Sequence, residues 1–97
     1  MRARLSAQAR QDYEDILLYT DVEWGEEQAR RYERGLTDAL MRLERFPHLG
    51  TSSATLGEGV RVLRVSQHLM IYEVLNDEVI VIRIIHIRSE PTLDLKR

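Results

Sequence analysis

The sequence predicts an α+β domain, with an antiparallel pair of helices packed on one face of a small antiparallel sheet in the order β-α-α-β-β-β. Three observations carry this reading. The stretch Glu78-Val79-Ile80-Val81-Ile82-Arg83-Ile84-Ile85-His86-Ile87-Arg88 holds seven Val or Ile residues, and β-branched side chains, stiff at χ1, pack well on a pleated surface. Between Ser6 and Phe46, two segments repeat apolar residues at helical spacing on either side of Gly25. After Gly59 the chain reads as strands joined by short turns.

Met1 to Leu5 is short and mixed and reads as a brief strand. Ser6 is a good helix N-cap. From it Ala9, Tyr13, Ile16, Leu17 and Thr20 form one apolar stripe, with Asp12, Glu14, Asp15 and Asp21 assigned to the other faces. Trp24-Gly25 breaks the pattern, and Trp24 is expected to close one end of the core, an exposed anchor being the alternative. Glu26 and Glu27 open the second helix, where they complement its dipole. Its stripe is Ala29, Tyr32, Leu36, Ala39, Leu40, Leu43 and Phe46, flanked by Arg30, Arg31, Arg34, Arg42 and Arg45, and Pro47 ends it. So short a join makes the helices antiparallel neighbours.

Pro47 to Gly59 is a loop of thirteen residues, long for a small domain. Strands are expected at Val60–Val65, Leu69–Leu75 and Val79–Ile87, turning at Ser66-Gln67-His68 and at Asn76-Asp77, the latter fitting a two-residue hairpin. The last strand is apolar on both parities, so it needs cover on both faces. One layer of helices is expected to leave apolar surface on the far side.

The 97 residues, 43% of them apolar, fit a single domain spanning 1–97 with one modest core. The net charge of −2 conceals a preference for Arg, with thirteen against one Lys. Cysteine is absent, which excludes disulfides and thiol chemistry. No apolar run reaches the length of a membrane span and no signal-peptide core opens the chain, so the expectation is a soluble cytoplasmic protein without membrane contact.

His48, His68 and His86 lie about 20 residues apart, far from the spacing of a metal site. Phosphate loops, nucleophile elbows and dinucleotide fingerprints are absent as well. Neither metal nor cofactor is expected. The candidate binding residues are Arg61, Arg64, Tyr72, Arg83, His86 and Arg88. The arginines either rim the sheet and pair with Glu73, Asp77, Glu78 or Glu90, or form a cationic patch opposite the helices for a phosphate or a carboxylate-bearing peptide. His86, between Ile85 and Ile87, reads as a hydrogen-bonded core residue or as an acid–base group, and Tyr72 as a core residue with a tethered hydroxyl.

Several stretches together resemble the ParE/RelE superfamily of bacterial type II toxins. They are LSAQARQDYEDILLYTDVEWGEEQARRYERGL (Leu5–Leu36), FPHLG (Phe46–Gly50), GVRVLRVSQHLMIYEV (Gly59–Val74) and VIRIIHIR (Val81–Arg88). The WGEEQA turn, the Pro-x-Leu-Gly after the second helix, the Tyr72 strand and the terminal His-x-Arg are similar to ParE members in particular. The resemblance implies the toxic component of a toxin–antitoxin pair, acting on DNA gyrase and neutralised by a ParD-like antitoxin. The RelE branch implies the alternative, ribosome-dependent cleavage of messenger RNA by strand-borne basic residues, with Arg61 or Arg64 and Arg83 in those places, and a C-terminal aromatic or His. The tail after Arg88 has no Tyr, Phe or His. His86 and Arg88 share a parity that Arg83 does not, so the three converge only across a bulge. The expectation is a gyrase inhibitor with no catalytic residue and no direct nucleic-acid binding.

Overall fold

A computed structural model describes residues 1–89. Its elements are β1 (Arg2–Leu5), α1 (Ala7–Trp24), α2 (Glu26–Arg45), β2 (Thr51–Ser52), β3 (Val60–Val65), β4 (His68–Leu75) and β5 (Glu78–His86), the strands forming one sheet in the order β1-β5-β4-β3-β2. The helical hairpin and the antiparallel run of the last three strands are those expected, but the sheet is not antiparallel throughout. Two features are additional. The loop contributes the two-residue β2, antiparallel to β3. The first strand runs parallel to the last, Arg2 opposite Glu78 through Leu5 opposite Val81, so the sheet is mixed.

Local chemistry sets the helix ends. The Ser6 hydroxyl accepts the Ala9 N–H at 3.0 Å, an N-cap bond. Gly25 alone joins the helices: its N–H donates to Asp21 O and its carbonyl accepts from Ala29 N. A φ of +95° at that residue makes glycine the fitting choice. Leu36, Ala39 and Leu43 of α2 are fully buried, and Tyr32 and Leu40 pack beside them. Each buried Leu contributes about 1.5–3 kcal/mol of transfer free energy. Phe46 departs from the expected stripe. It lies past the helix end, exposed, with the Arg45 guanidinium 5.6 Å from its ring centroid. Trp24 departs further, being 72% exposed and closing nothing.

The hairpin turn Asn76-Asp77 has positive φ at both residues (50° and 61°), the requirement of a type I′ turn. The next strand contains the irregularity that its sequence conceals. Tyr72 pairs with Val81 but Ile71 with Arg83, so Ile82 is an extra residue, a β-bulge. A bulge reverses the alternation of side chains. Val79 and Val81 before it and Ile84 after it therefore join one cluster with Ala9, Leu36, Leu43 and Tyr72, on the helix side. Ile85 joins Val60 and Ile71 on the other side, where Leu56 of the loop packs on them. Val60, Ile71 and Ile85 are all buried, so the far face is not the bare apolar surface expected from the sequence.

Beyond the end of β1, the outer edge of β5 is met by α1. Ser6 N donates to Val81 O and the Ser6 hydroxyl to Ile82 O, each at 2.9 Å. The carboxylate of Asp12, one turn and a half further on, accepts the Ile84 N–H at 2.9 Å and the Arg83 Nε–H at 2.8 Å. Asp12 therefore does not lie on a solvated face. It is 9% exposed and completes the hydrogen bonding of a strand edge. Asp12→Ala is expected to lower the unfolding free energy by about 3 kcal/mol, since it orphans a largely buried guanidinium and a buried N–H. Urea unfolding followed by circular dichroism checks this, and a loss under about 1 kcal/mol would show the pair to be incidental.

Candidate functional site

Three of the residues singled out in the sequence hold the framework. Tyr72 is fully buried; its hydroxyl accepts the Gly50 N–H and donates to Pro47 O, both at 2.8 Å. Arg61, directly opposite Tyr72 on β3, donates from Nε to Gly50 O at 3.0 Å and from its terminal nitrogen to His48 O at 3.1 Å. The Pro-His-Leu-Gly motif is thus clamped by a phenol and a guanidinium. A methyl group on Gly50 would stand 2.8 Å from both the Tyr72 ring and Val62 O, which accounts for the glycine. Arg83 is held by Asp12.

Arg64 is exposed and bonds Ser66 O at 2.9 Å, and Arg88 is exposed past the end of β5. Of the two alternatives for the arginines, one patch of four opposite the helices is not formed. Arg61 shares a cross-strand position with the core residue Tyr72, Arg64 has the other parity, and Arg83 is turned to α1. Of the acidic partners considered, Glu78 pairs with Arg4 at 3.5 Å, and Glu90 lies outside the described residues.

His86 belongs to a different assembly. The bulge places it on the helix side, opposite His68. The two imidazoles meet edge to face, centroids 5.3 Å apart at 81°. Tyr32 of α2 meets His68 in the same manner at 5.2 Å and 62°, and its hydroxyl bonds His68 Nδ1. The Arg88 N–H donates to His86 Nδ1 at 3.0 Å, fixing the orientation of that ring. These groups form one wall of an open cleft of about 600 Å³. Tyr19, Thr20 and Trp24 at the end of α1, Gln28 at the start of α2, and Ser66 and Gln67 in the β3–β4 turn complete it.

Burial, with a smaller contribution from the charge of His86, holds the His68 pKa down to about 4. Burial also raises the Tyr32 phenol above its ordinary value. Both groups are therefore neutral near pH 7, and the wall they form is aromatic and uncharged. Among the described residues no Arg or Lys lines the cleft. Among the described residues no group of three or more His, Asp or Glu is placed to hold a metal ion, and no helix is long and apolar enough to cross a membrane.

Of this cleft the sequence singles out His86 as a binding candidate and Trp24 as a core cap or exposed anchor. Tyr32 sat in a core stripe and His68 in a turn, while Tyr19 was passed over. The available signal was the pairing of Tyr19 with Trp24 beside the hairpin turn, two large aromatics where a solvated helix end needs none.

The layout, a two-helix hairpin over a five-stranded mixed sheet, is that of a small α+β protein of RelE/ParE-like fold. The profile described as "ParE toxin of type II toxin-antitoxin system, parDE" matches residues 3–91. Toxin ParE1 of Caulobacter vibrioides is 34% identical over 83 residues, covering 86% of this chain and 85% of that one. Toxin ParE1 of Mycobacterium tuberculosis (strain H37Rv) is 32% identical over 90 residues, covering 92% of each. In fold, the chain is similar to a structure titled "Chromosomal ParDE TA system from P. aeruginosa", with a TM-score of 0.78 over 91% of this chain and 97% of that one at 20% identity. The chain belongs to the ParE toxin family, the toxic component of type II toxin–antitoxin modules.

Two outcomes follow from the geometry. Tyr72→Phe leaves the Gly50 N–H buried beside a ring that no longer accepts its bond, and is expected to cost about 1–3 kcal/mol of stability in denaturant titration. His68 gives a pH dependence. Its folded pKa of about 4 lies below the ordinary 6.5, so the unfolded chain binds the proton first. The stability due to a neutral His68 is intact above pH 6.5, falls as the pH drops through the interval, and is gone below about 4. Unfolding midpoints of the protein and of His68→Gln, compared from pH 8 to 4, isolate this contribution: the difference between the two curves should change across the interval, and parallel curves would refute it.

Proposed function

We propose that this protein arrests growth by acting on DNA gyrase in the cytoplasm, that a ParD-type antitoxin neutralises it, and that the chain acts as one domain. The observation that carries the reading is the match of the ParE toxin family across residues 3–91. The geometry supports inhibition by contact over cleavage. Acid–base cleavage of RNA needs a proton acceptor, a proton donor and cations around one phosphate. Here Arg61 and Arg83 are spent on the loop and on Asp12, and the Tyr72 hydroxyl is closed between Pro47 and Gly50. His68 is neutral and lined by aromatic groups.

The cleft at the hairpin end is the surface we assign to partner contact. It presents Trp24 and Tyr19, more than 60% exposed, beside Leu18 and Val22 of the same helix. Trp and Tyr are enriched among the residues that dominate binding energy at protein interfaces. Of the six candidates from the sequence, His86 lines this surface and Arg64 and Arg88 are exposed.

Induction of the toxin alone is expected to stop growth with a DNA-damage response and gyrase held on broken DNA, and coexpression with the adjacent antitoxin gene to restore growth and yield a co-purifying complex. Mapping messenger RNA ends on ribosomes provides the counter-test. Codon-phased cuts without DNA damage would assign the protein to RNA cleavage instead.

A further inference from the structure

We infer that the cleft between the hairpin end and the β3–β4 turn is a receptor for a cationic side chain, a guanidinium or ammonium group presented by a protein partner and seated among Trp24, Tyr19 and Tyr32. The inference rests on the assignment of this cleft to partner contact, and adds what the partner must present.

The lining supplies three phenol or indole rings and two imidazoles, and the quadrupole of an aromatic face attracts a cation within about 6 Å of its centroid. Among the described residues no positive side chain lines the space. Of the arginines near it along the chain, Arg30 and Arg31 are each drawn onto a carboxylate one turn back, Glu26 and Glu27, Arg64 bonds Ser66 O, and Arg34 and Arg88 are exposed and do not line it. The wall formed by Tyr32 and His68 is uncharged near neutral pH, so it does not repel a cation. The rim carries negative charge. Glu23 follows Tyr19 by four positions and Thr20 by three, which places it on the helical face that lines the cleft. It is exposed and makes no ion pair among the described residues. Asp21 is likewise exposed beside Thr20. Gln28, Ser66 and Gln67 add acceptor oxygens at the mouth, matched to the several N–H donors of a guanidinium. An apolar anchor would use the rings but leave the carboxylate rim without a counterpart. A nucleobase would also use the rings, but its phosphate would meet Glu23 and no cation.

Trp24 is the chain's only tryptophan and lies in the cleft, so it reports on occupancy directly. The intact protein is titrated at low ionic strength with acetylated and amidated Gly-Arg-Gly, and with the same peptide carrying lysine, citrulline or norleucine, while indole fluorescence is followed. The arginine and lysine peptides are expected to give saturable changes. Citrulline, with the shape of arginine but no charge, should bind about tenfold more weakly. Tyr19→Ala and Glu23→Gln, both at exposed positions that leave the core intact, should each weaken the arginine peptide several-fold. Equal binding of citrulline, tighter binding of norleucine, equal quenching by adenosine, or no saturable change with arginine would each overturn the inference. None of these results involves gyrase or the antitoxin. The toxin reading is therefore tested separately.

Discussion

The fold depends on how the start of α1 is fastened to the edge of β5. Two side chains do this. Ser6 caps its own helix with one lone pair and gives its proton to the carbonyl of the bulged Ile82. Asp12 accepts the Ile84 N–H and the Arg83 guanidinium. A bulge leaves strand hydrogen-bonding groups without partners, and a strand edge buried in that state is costly. Here the helix meets that need, and the same bonds fix its position over the sheet. The distance from α1 to β4, and with it the cleft, follows from that attachment.

Periodicity revealed α2 because it has one strong apolar face, and turn chemistry revealed the last hairpin. The α2 stripe through Leu36, Ala39 and Leu43 and the Asn76-Asp77 turn were legible for those reasons. The bulge was not, since a run of Val and Ile looks the same with or without one extra residue. Reading the strand as regular made both faces seem equally apolar and put Val79 and Val81 on the face opposite Ile84 and His86, which the bulge brings to one side. The role of Asp12 was hidden for a related reason. A carboxylate between Gln11 and Tyr13 gives no sign that its partners lie 71 and 72 residues away.

The motifs that signalled the family proved informative about architecture before chemistry. Pro-x-Leu-Gly, the Tyr72 strand and Arg61 form a single clamp that fixes where the chain leaves α2 and enters the sheet. The WGEEQA turn has two parts. Gly25 makes the reversal possible, while Trp24 is left standing in solvent at the mouth of the cleft. Burying that indole with the core would have gained several times the free energy of a surface contact, and a position that forgoes this is expected to be used between molecules.

The pairing of β1 with β5 has a consequence for the timing of synthesis. The second residue of the chain finds its partner at position 78, and the anchors at Ser6 and Asp12 find theirs at 81 to 84. Contacts of such sequence separation form late, because the chain between them must be ordered first. On the ribosome, helices and early strands emerge with their docking edge still unmade. A nascent chain stopped short of the last strand therefore carries a hairpin with nothing to hold it, and neither the cleft nor its histidine pair exists until translation has passed residue 86. In a member of a toxin family, that delay withholds the proposed contact surface until the last strand has been made.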